Sequence, residues 1–154
     1  MSDRIRRETE LLPQLHGQEC ARAYSNFAGI LALNFGTLHP FVTQGRDGPR
    51  DTLKADYTLF IQCAWRLESP AQMLVGMYDS DEHINQRTRV LVGSRVRATR
   101  VEPPGYTTKI TFDNDHSIWL FPCEAVDFLP DEDVEYPRTP WFVIGVKVAD
   151  VGSK

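Results

Sequence analysis

The tripeptide Leu15-His16-Gly17 is followed by three strand-like runs, and a degenerate copy, Leu91-Val92-Gly93, is followed by three more. Beyond the tripeptides, Cys20 matches Val96 in the same register, Leu33 and Phe35 match Ile110 and Phe112 after a one-residue slip, and Cys63 then falls opposite Cys123. Self-similarity of this kind predicts a duplicated supersecondary unit, with pseudo-repeats at residues 15–67 and 91–126. Chance alignment of two β-meanders is the alternative that the sequence leaves open.

Strands are indicated by alternation of apolar and polar residues and by aromatic and β-branched content. The strongest such signal is YTLFIQCAWRL at residues 57–67. The predicted strands are 17–24, 30–35, 57–67 and 72–78 in the first module, 90–101, 106–112 and 116–121 in the second, and a final strand at 140–148 that closes the sheet.

Two short helices complete the predicted elements. The first covers residues 3–12 and is ended by Pro13, and the second covers residues 81–89 with Ser80 as its N-cap. The 154 residues are enough for a single domain that buries roughly 70% of its unfolded surface. The sequence thus predicts a mainly β fold with a minor α part: duplicated three-stranded meander modules that form a sandwich or a partly open barrel, with one or two short helices.

The two modules differ at one hairpin. The second module turns at residues 113–115, whereas the first has residues 36–56, about 18 residues more, with Pro40, Gly45, Gly48 and Pro49 and no clear period. This pattern predicts a long loop, and long loops often carry function. Residues 36–56 are therefore the first place where we expect a functional site.

Composition limits the classes of function. The longest apolar run, residues 27–33, is far shorter than the ~20 residues of a membrane span, and the charged first ten residues lack the apolar core of a secretory signal. The three cysteines, Cys20, Cys63 and Cys123, form no C-x-x-C pair, so we expect core thiols rather than a metal or redox site. These features predict a cytoplasmic protein with no membrane association.

Signatures of common catalytic and cofactor sites are absent. The sequence has no phosphate-binding P-loop, no dinucleotide fingerprint, no H-E-x-x-H and no G-x-S-x-G. His83 and His116 neighbour carboxylates, but neither segment has the regular oxygen ladder and central glycine of a calcium loop. We therefore predict no metal site, no cofactor and no catalytic residue.

Two groups of residues are candidates for ligand binding. The segment 87–100 concentrates five arginines, among them Arg95 and Arg97, which could face phosphate or an acidic peptide. The net charge of −4 argues against nucleic acid, and pairing with the acidic connector 124–135 is the preferred interpretation. The second group is Trp65 with Arg66, where the tryptophan either continues a buried face or marks the rim of a pocket for an anionic or peptidic ligand.

A family resemblance is carried by LFIQCAWR at residues 59–66, by LVG at residues 74–76 and by LVGSRV at residues 91–96. These strings resemble a group of small uncharacterised bacterial β-rich proteins with an L-H-x-Q-C-P-W-R-like strand, over residues 15–122. Ala64 stands where that pattern has proline. The resemblance implies a fold and no activity. The chain is also similar, in size and β content alone, to peptide-binding accessory proteins of peptide natural-product pathways.

Two functions remain as hypotheses. The first is a non-catalytic binding or accessory protein that recognises a peptide or protein partner, in a biosynthetic or toxin-immunity gene cluster, with Trp65, Arg66, His39, Arg95 and Arg97 as ligand-binding residues. Exposed strand edges would also allow a homo- or heterodimer. The alternative is a small enzyme with a dispersed His39, Asp56, Arg66 and His116 site covered by loop 36–56.

Overall fold

The computed structural model of the chain describes residues 9–25, 30–122 and 141–145, and of residues 142 and 144 it describes the backbone alone. Predictions for residues 1–8, 123–140 and 146–148 lie outside the described residues. The elements in chain order are the 3-10 turn Leu12–Leu15, β1 (Cys20–Ser25), β2 (Leu31–Gly45), β3 (Gly48–Ile61), β4 (Ala64–Glu68), β5 (Met73–Gly76), α1 (Asp81–Arg87), the 3-10 turn Thr88–Leu91, β6 (Val96–Glu102), β7 (Thr107–Phe112), β8 (Ser117–Phe121) and β9 (Trp141–Gly145).

The strands form two antiparallel sheets. The first has the order β1-β2-β3-β9 and the second the order β5-β4-β8-β7-β6. Alternate side chains of both sheets contribute to one apolar core, which includes Leu33 and Leu59 of the first sheet and Leu67 and Ile110 of the second. The predicted β-rich sandwich with short helices is confirmed, and the sheets do not close into a barrel. No helix in the described ranges is long and apolar enough to cross a membrane.

Each three-stranded meander is followed in the chain by a strand that joins the sheet of the other meander. Strand β4 follows β3 in the chain but pairs with β8, and β9 pairs with β3. Trp65 of β4 therefore lies opposite Leu120, and Trp141 of β9 lies opposite Ile61 in the equivalent position. The prediction of one strand over residues 57–67 is wrong, because the chain changes sheets at residues 62–63.

The two modules make reciprocal hydrogen bonds where they meet. The N–H of Gly17 donates to the carbonyl of Val96, and the N–H of Gly93 donates to the carbonyl of Cys20, both at 2.8 Å. Gly17 matches Gly93 and Cys20 matches Val96, so these two bonds are exchanged by an approximate two-fold rotation. The glycines are also equivalent in conformation, with φ of 78° and 89°.

The same rotation relates two core phenylalanines. Phe35 and Phe112 are both fully buried, and their rings stack with centroids 6.4 Å apart and an interplanar angle of 15°. A register shift interrupts the first hairpin of each module at matched places, between Cys20 and Arg22 and between Val96 and Ala98. Backbone pairing therefore follows the same correspondence of positions as the sequence pattern.

The helical segments differ in detail from the predictions. The Ser80 hydroxyl accepts the N–H of His83, which confirms the N-cap, and α1 passes directly into the 3-10 turn that ends at Leu91. The α-helical residues 9–11 end before Pro13, as predicted, but the chain continues in the 3-10 turn Leu12–Leu15, with Pro13 in its first turn. Proline is tolerated there because no N–H is needed at that position.

The predicted loop 36–56 is a two-stranded arm. Strands β2 and β3 continue in antiparallel register through Pro40 opposite Leu53 to Gly45 opposite Gly48, and only Arg46-Asp47 turn. The glycines that suggested a loop lie at the turn and at a bulge, where Gly36 has φ of 83°. We call residues 36–56 the arm, and it corrects both the loop prediction and the idea of a loop that covers an active site.

Candidate ligand-binding site

The five residues predicted to bind a ligand are not brought together. Trp65 is in the core, and Arg66 is on the outer face of the second sheet. Arg95 immediately precedes β6 and Arg97 lies in it, with two strands, β8 and β7, between β6 and β4 in that sheet, and His39 is in the arm. A single site made of all five residues does not exist in this fold.

Trp65 is a core residue rather than the rim of a pocket. Its exposed fraction is 4%, and it packs in the same cluster as its equivalent, Trp141, which is fully buried. The chain change at residues 62–63 carries it into the second sheet with its side chain still directed inward. Its assignment as a ligand contact is therefore wrong, since a buried indole offers no accessible surface.

Arg66 contacts aromatic side chains of β8 instead of Trp65. Its guanidinium carbon lies 4.9 Å from the ring centroid of Phe121 and 5.8 Å from that of Trp119. Its Nε also lies 2.7 Å from Oε2 of Glu68. The aromatic contacts cross from β4 to β8, whereas the ion pair joins residues two positions apart in β4; both kinds of contact are compatible with the solvent face of an antiparallel sheet. The Arg66 guanidinium thus contacts side chains of its own sheet.

Arg95 and Arg97 are exposed and engaged locally. Arg97 Nη1 donates to Asp115 Oδ1 at 2.9 Å, and Arg95 Nη1 donates to the carbonyl of Gly17 at 2.8 Å. Arg95 also lies 3.9 Å from Glu19. Exposed pairs of this kind contribute little to stability. They hold the turn of the second module against the start of the first.

His39 and Asp56 lie side by side at the base of the arm. His39 Nε2 and Asp56 Oδ1 are 2.8 Å apart, and Asp56 Oδ2 accepts the N–H of Thr37 at 2.9 Å. Burial opposes ionisation of Asp56, but the Thr37 N–H and the His39 side chain outweigh it and lower the pKa of this carboxyl. A Cβ at Gly36 would overlap the carboxylate, so the pair fixes the bulge from which the arm extends.

The other residues of the enzyme hypothesis are elsewhere. Arg66 is in β4 of the second sheet, and His116 lies in the turn between β7 and β8, with its Nδ1 3.1 Å from the carbonyl of Asn114. Of the four residues, only His39 and Asp56 meet. In the described parts of the chain, no group of three or more His, Cys, Asp and Glu side chains could hold a metal ion.

The arm exposes apolar side chains. Phe41, Val42 and Leu53 have exposed fractions of 44%, 54% and 43%, and they are three of the seven large apolar residues exposed in the described part of the chain. Pro40 and Leu53 are cross-strand partners, so they share a face with Val42. A shallow groove runs along these residues. Clustered exposed apolar groups mark interaction surfaces more often than single ones do.

A second groove, of about 180 Å³, lies where the arm joins the first sheet. It shares Leu53 with the groove along the arm, and we call it the basal groove. Its lining combines two cations with aromatic and small polar groups, namely Arg22, Tyr24, Asn34, Leu53, Lys54, Ala55, Thr58 and Phe60. None of the lining residues is acidic, so the basal groove is suited to an anionic group.

A chain of hydrogen bonds orients Arg22 in the basal groove. Asn34 is only 2% exposed; its Nδ2 donates to Thr58 Oγ1 at 3.0 Å, and its Oδ1 accepts from Arg22 Nε at 2.7 Å. Arg22 Nη2 also lies 3.4 Å from the carbonyl of Leu53 in the arm, and the guanidinium carbon lies 5.2 Å from the Tyr24 ring centroid.

The basal groove could not be recognised in the sequence. Its side chains come from three consecutive strands, β1, β2 and β3, which only strand register brings together, and they match no motif. The available signal was Asn34, a polar residue within the apolar run of β2, because a buried amide requires hydrogen-bonding partners.

The chain matches no protein-family model, no curated protein and no solved structure. The resemblance suggested by residues 59–66 therefore stays a prediction.

Proposed function

We propose that this protein is a non-catalytic binding protein that recognises a peptide or protein partner through the arm. The observation that carries the proposal is the concentration of exposed apolar side chains on an element that the second module lacks, with Val42 and Leu53 on one face of the arm and Phe41 on the other. A soluble surface gains nothing from such a cluster by itself, whereas a partner that covers it removes apolar area from water.

Side-chain recognition is favoured over simple strand addition at β2. Pro40 lies in the middle of that strand within the arm and has no N–H to donate to an added strand. Proline within an edge strand is a device that discourages strand pairing. A partner would therefore gain affinity mainly from pockets between side chains along the arm.

The cytoplasm is the compartment that we propose. Cys20 is a free, fully buried thiol, which is compatible with a reducing environment. This part of the proposal concerns location only, and it does not depend on the arm.

A display selection tests the proposal. Random 12-residue peptides would be selected on the protein, and the enriched peptides would then be titrated against Phe41→Ser with Leu53→Ser. The matched control is Met73→Ser with Tyr78→Ser, which removes exposed apolar residues that lie outside the arm. We expect affinity to fall about tenfold for the arm variant and to be unchanged for the control. Failure to enrich any peptide, or equal affinity for all three proteins, would contradict recognition through the arm.

A further inference from the structure

We propose that the basal groove is a carboxylate-binding subsite, which takes an acidic side chain or the C-terminal carboxylate of a peptide that lies along the arm. This inference rests on the proposed function, because it names the chemistry of the group recognised at the base of the same element. Four observations carry it: two cations with no acidic partner among the described residues, a guanidinium held by hydrogen bonds, a difference between the modules, and continuity with the apolar groove.

Among the described residues, neither cation of the basal groove has an acidic partner. Within the described residues, Arg22 contacts Asn34, Leu53 and Tyr24, and Lys54 lies over the ring of Phe41 at 4.8 Å. By contrast, the arginines that point outward from the second sheet are paired with carboxylates, namely Arg66 with Glu68, Arg97 with Asp115 and Arg100 with Glu102. No carboxylate among the described residues therefore neutralises the two cations of the basal groove, and both can interact with an anionic ligand.

The guanidinium of Arg22 is held before any ligand arrives. Asn34 accepts from Nε, and Thr58 fixes the orientation of the Asn34 amide from the other side. A buried amide costs free energy unless it is fully hydrogen-bonded, so its presence needs a reason. Orienting Arg22 supplies one, because a guanidinium fixed through Nε, with one N–H of Nη2 toward the carbonyl of Leu53, still presents Nη1 and the other N–H of Nη2 to a carboxylate.

The second module shows the same positions without the arginine. Strand pairing matches the row Arg22, Asn34 and Thr58 with the row Ala98, Thr111 and Ser117. Ser117 and Thr111 keep a side-chain hydrogen bond at 3.4 Å, but Ala98 offers no charge. The fold therefore does not require an arginine at this position, which separates the role of Arg22 from the needs of the sandwich.

The basal groove continues into the apolar surface of the arm. Leu53 lines both grooves, and Lys54 reaches from the basal groove toward Phe41. A volume of about 180 Å³ equals roughly six water molecules, which suits a carboxylate with its adjoining methylene groups. The ligand that fits is a peptide with an acidic group next to an apolar side chain.

The experiment uses two random 12-residue libraries, one displayed with a free C terminus and one without. Each is selected on the wild-type protein, on Arg22→Ala and on Arg100→Ala, which removes a guanidinium from the second sheet as a control. We expect enrichment of acidic residues beside apolar ones on the wild type and on Arg100→Ala, and its loss on Arg22→Ala. Enrichment in the free-C-terminus library alone would identify the terminal carboxylate as the source, and enrichment in both would identify a side chain.

Affinities of one enriched peptide complete the test. Replacement of its acid by the amide, or Arg22→Ala, should each weaken binding about tenfold, and the two together should weaken it little further. Asn34→Thr, which imports the residue of the second module and keeps Arg22, should give a smaller loss. Circular dichroism verifies that each variant folds, and the amide peptide tests the contact on the unaltered protein.

The outcomes separate the two proposals. If no peptide is enriched, the proposed function fails and this inference falls with it. If peptides are enriched and depend on Phe41 but bind Arg22→Ala and their own amide forms with unchanged affinity, the arm binds peptides and the carboxylate subsite alone is refuted.

Discussion

Gly36→Ala should destabilise the protein more than Gly93→Ala, although both glycines have the same kind of backbone conformation. Their φ values are 83° and 89°, and a side chain in this region costs roughly 1–2 kcal/mol. A Cβ at Gly93 meets no atom within 4 Å, so only this conformational cost applies there. A Cβ at Gly36 overlaps the carboxylate of Asp56 and lies 2.8 Å from the Asp56 Cβ, so the carboxylate must rotate away and the backbone must shift as well.

Rotation of Asp56 has its own cost. It breaks the contacts from the Thr37 N–H at 2.9 Å and from His39 Nε2 at 2.8 Å. Hydrogen bonds to charged groups contribute about 1.5–3 kcal/mol when buried, and less here because the carboxylate is 31% exposed. We expect a loss of about 3 kcal/mol for Gly36→Ala and about 1.5 kcal/mol for Gly93→Ala.

Urea unfolding followed by tryptophan fluorescence would measure both losses from the midpoints, provided that the slopes are unchanged. Gly17→Ala is a second control, since Gly17 is the equivalent of Gly93 and its Cβ would also be free of contacts. Equal losses at all three glycines would show that Asp56 does not hold the base of the arm, and the account of the bulge would then be wrong.

Three further predictions concern the core, the thiol and the carboxyl group. Leu33→Ala and Ile110→Ala, at equivalent fully buried positions, should each cost about 3 kcal/mol in urea unfolding, whereas Phe41→Ala in the arm should cost less than about 0.5 kcal/mol. Burial raises the pKa of the Cys20 thiol to about 12, so iodoacetamide at pH 8 should alkylate Cys20 only under denaturing conditions. Peptide mass spectrometry would detect the modification, and labelling of Cys20 in the native protein would contradict its burial. The pKa of Asp56 is lowered in the folded state, so the stabilising contribution of its carboxylate is complete above the pKa of the unfolded chain, about 3.9, and is lost as the pH falls through the lower pKa of the folded protein. The amide chemical shift of Thr37, measured by NMR, should therefore titrate with a midpoint below pH ~3.9. A midpoint above that pH would contradict the lowered pKa.

The sandwich could be predicted because its inner residues repeat with strand period in both modules. Leu33 and Ile110 show this on β2 and β7, and both are fully buried. The change of sheet within residues 57–67 could not be predicted from the same signal. Leu59, Ile61, Trp65 and Leu67 are all odd-numbered and all buried, so the alternation continues across the break. A periodic pattern reports which face is buried and not which sheet the strand joins.

The two strands of the arm could not be predicted from the alternation of apolar and polar residues, for a physical reason. Strand alternation arises when one face is buried, and in the arm only Ala55 is buried, at 3% exposure. The remaining signals are Gly45 and Gly48 next to the turn and the prolines within the strands, and these residues are typical of a loop. The basal groove could not be predicted for a different reason. Strand register brings Arg22, Asn34 and Thr58 into one row across the sheet, and a single sequence does not show the register.

The strands β4 and β9 each join the sheet of the other meander, and this exchange determines how a chain with only one module could fold. A polypeptide containing only one module would leave one edge of its meander without the strand that covers Ile61 or Leu120. A second copy of the same half could supply that strand, and the reciprocal bonds at Gly17 and Gly93 would then form between two molecules. In such a pair both hairpins would have to be identical. Fusion into one polypeptide removes that constraint, so an arm can project from one side while its counterpart remains a short turn.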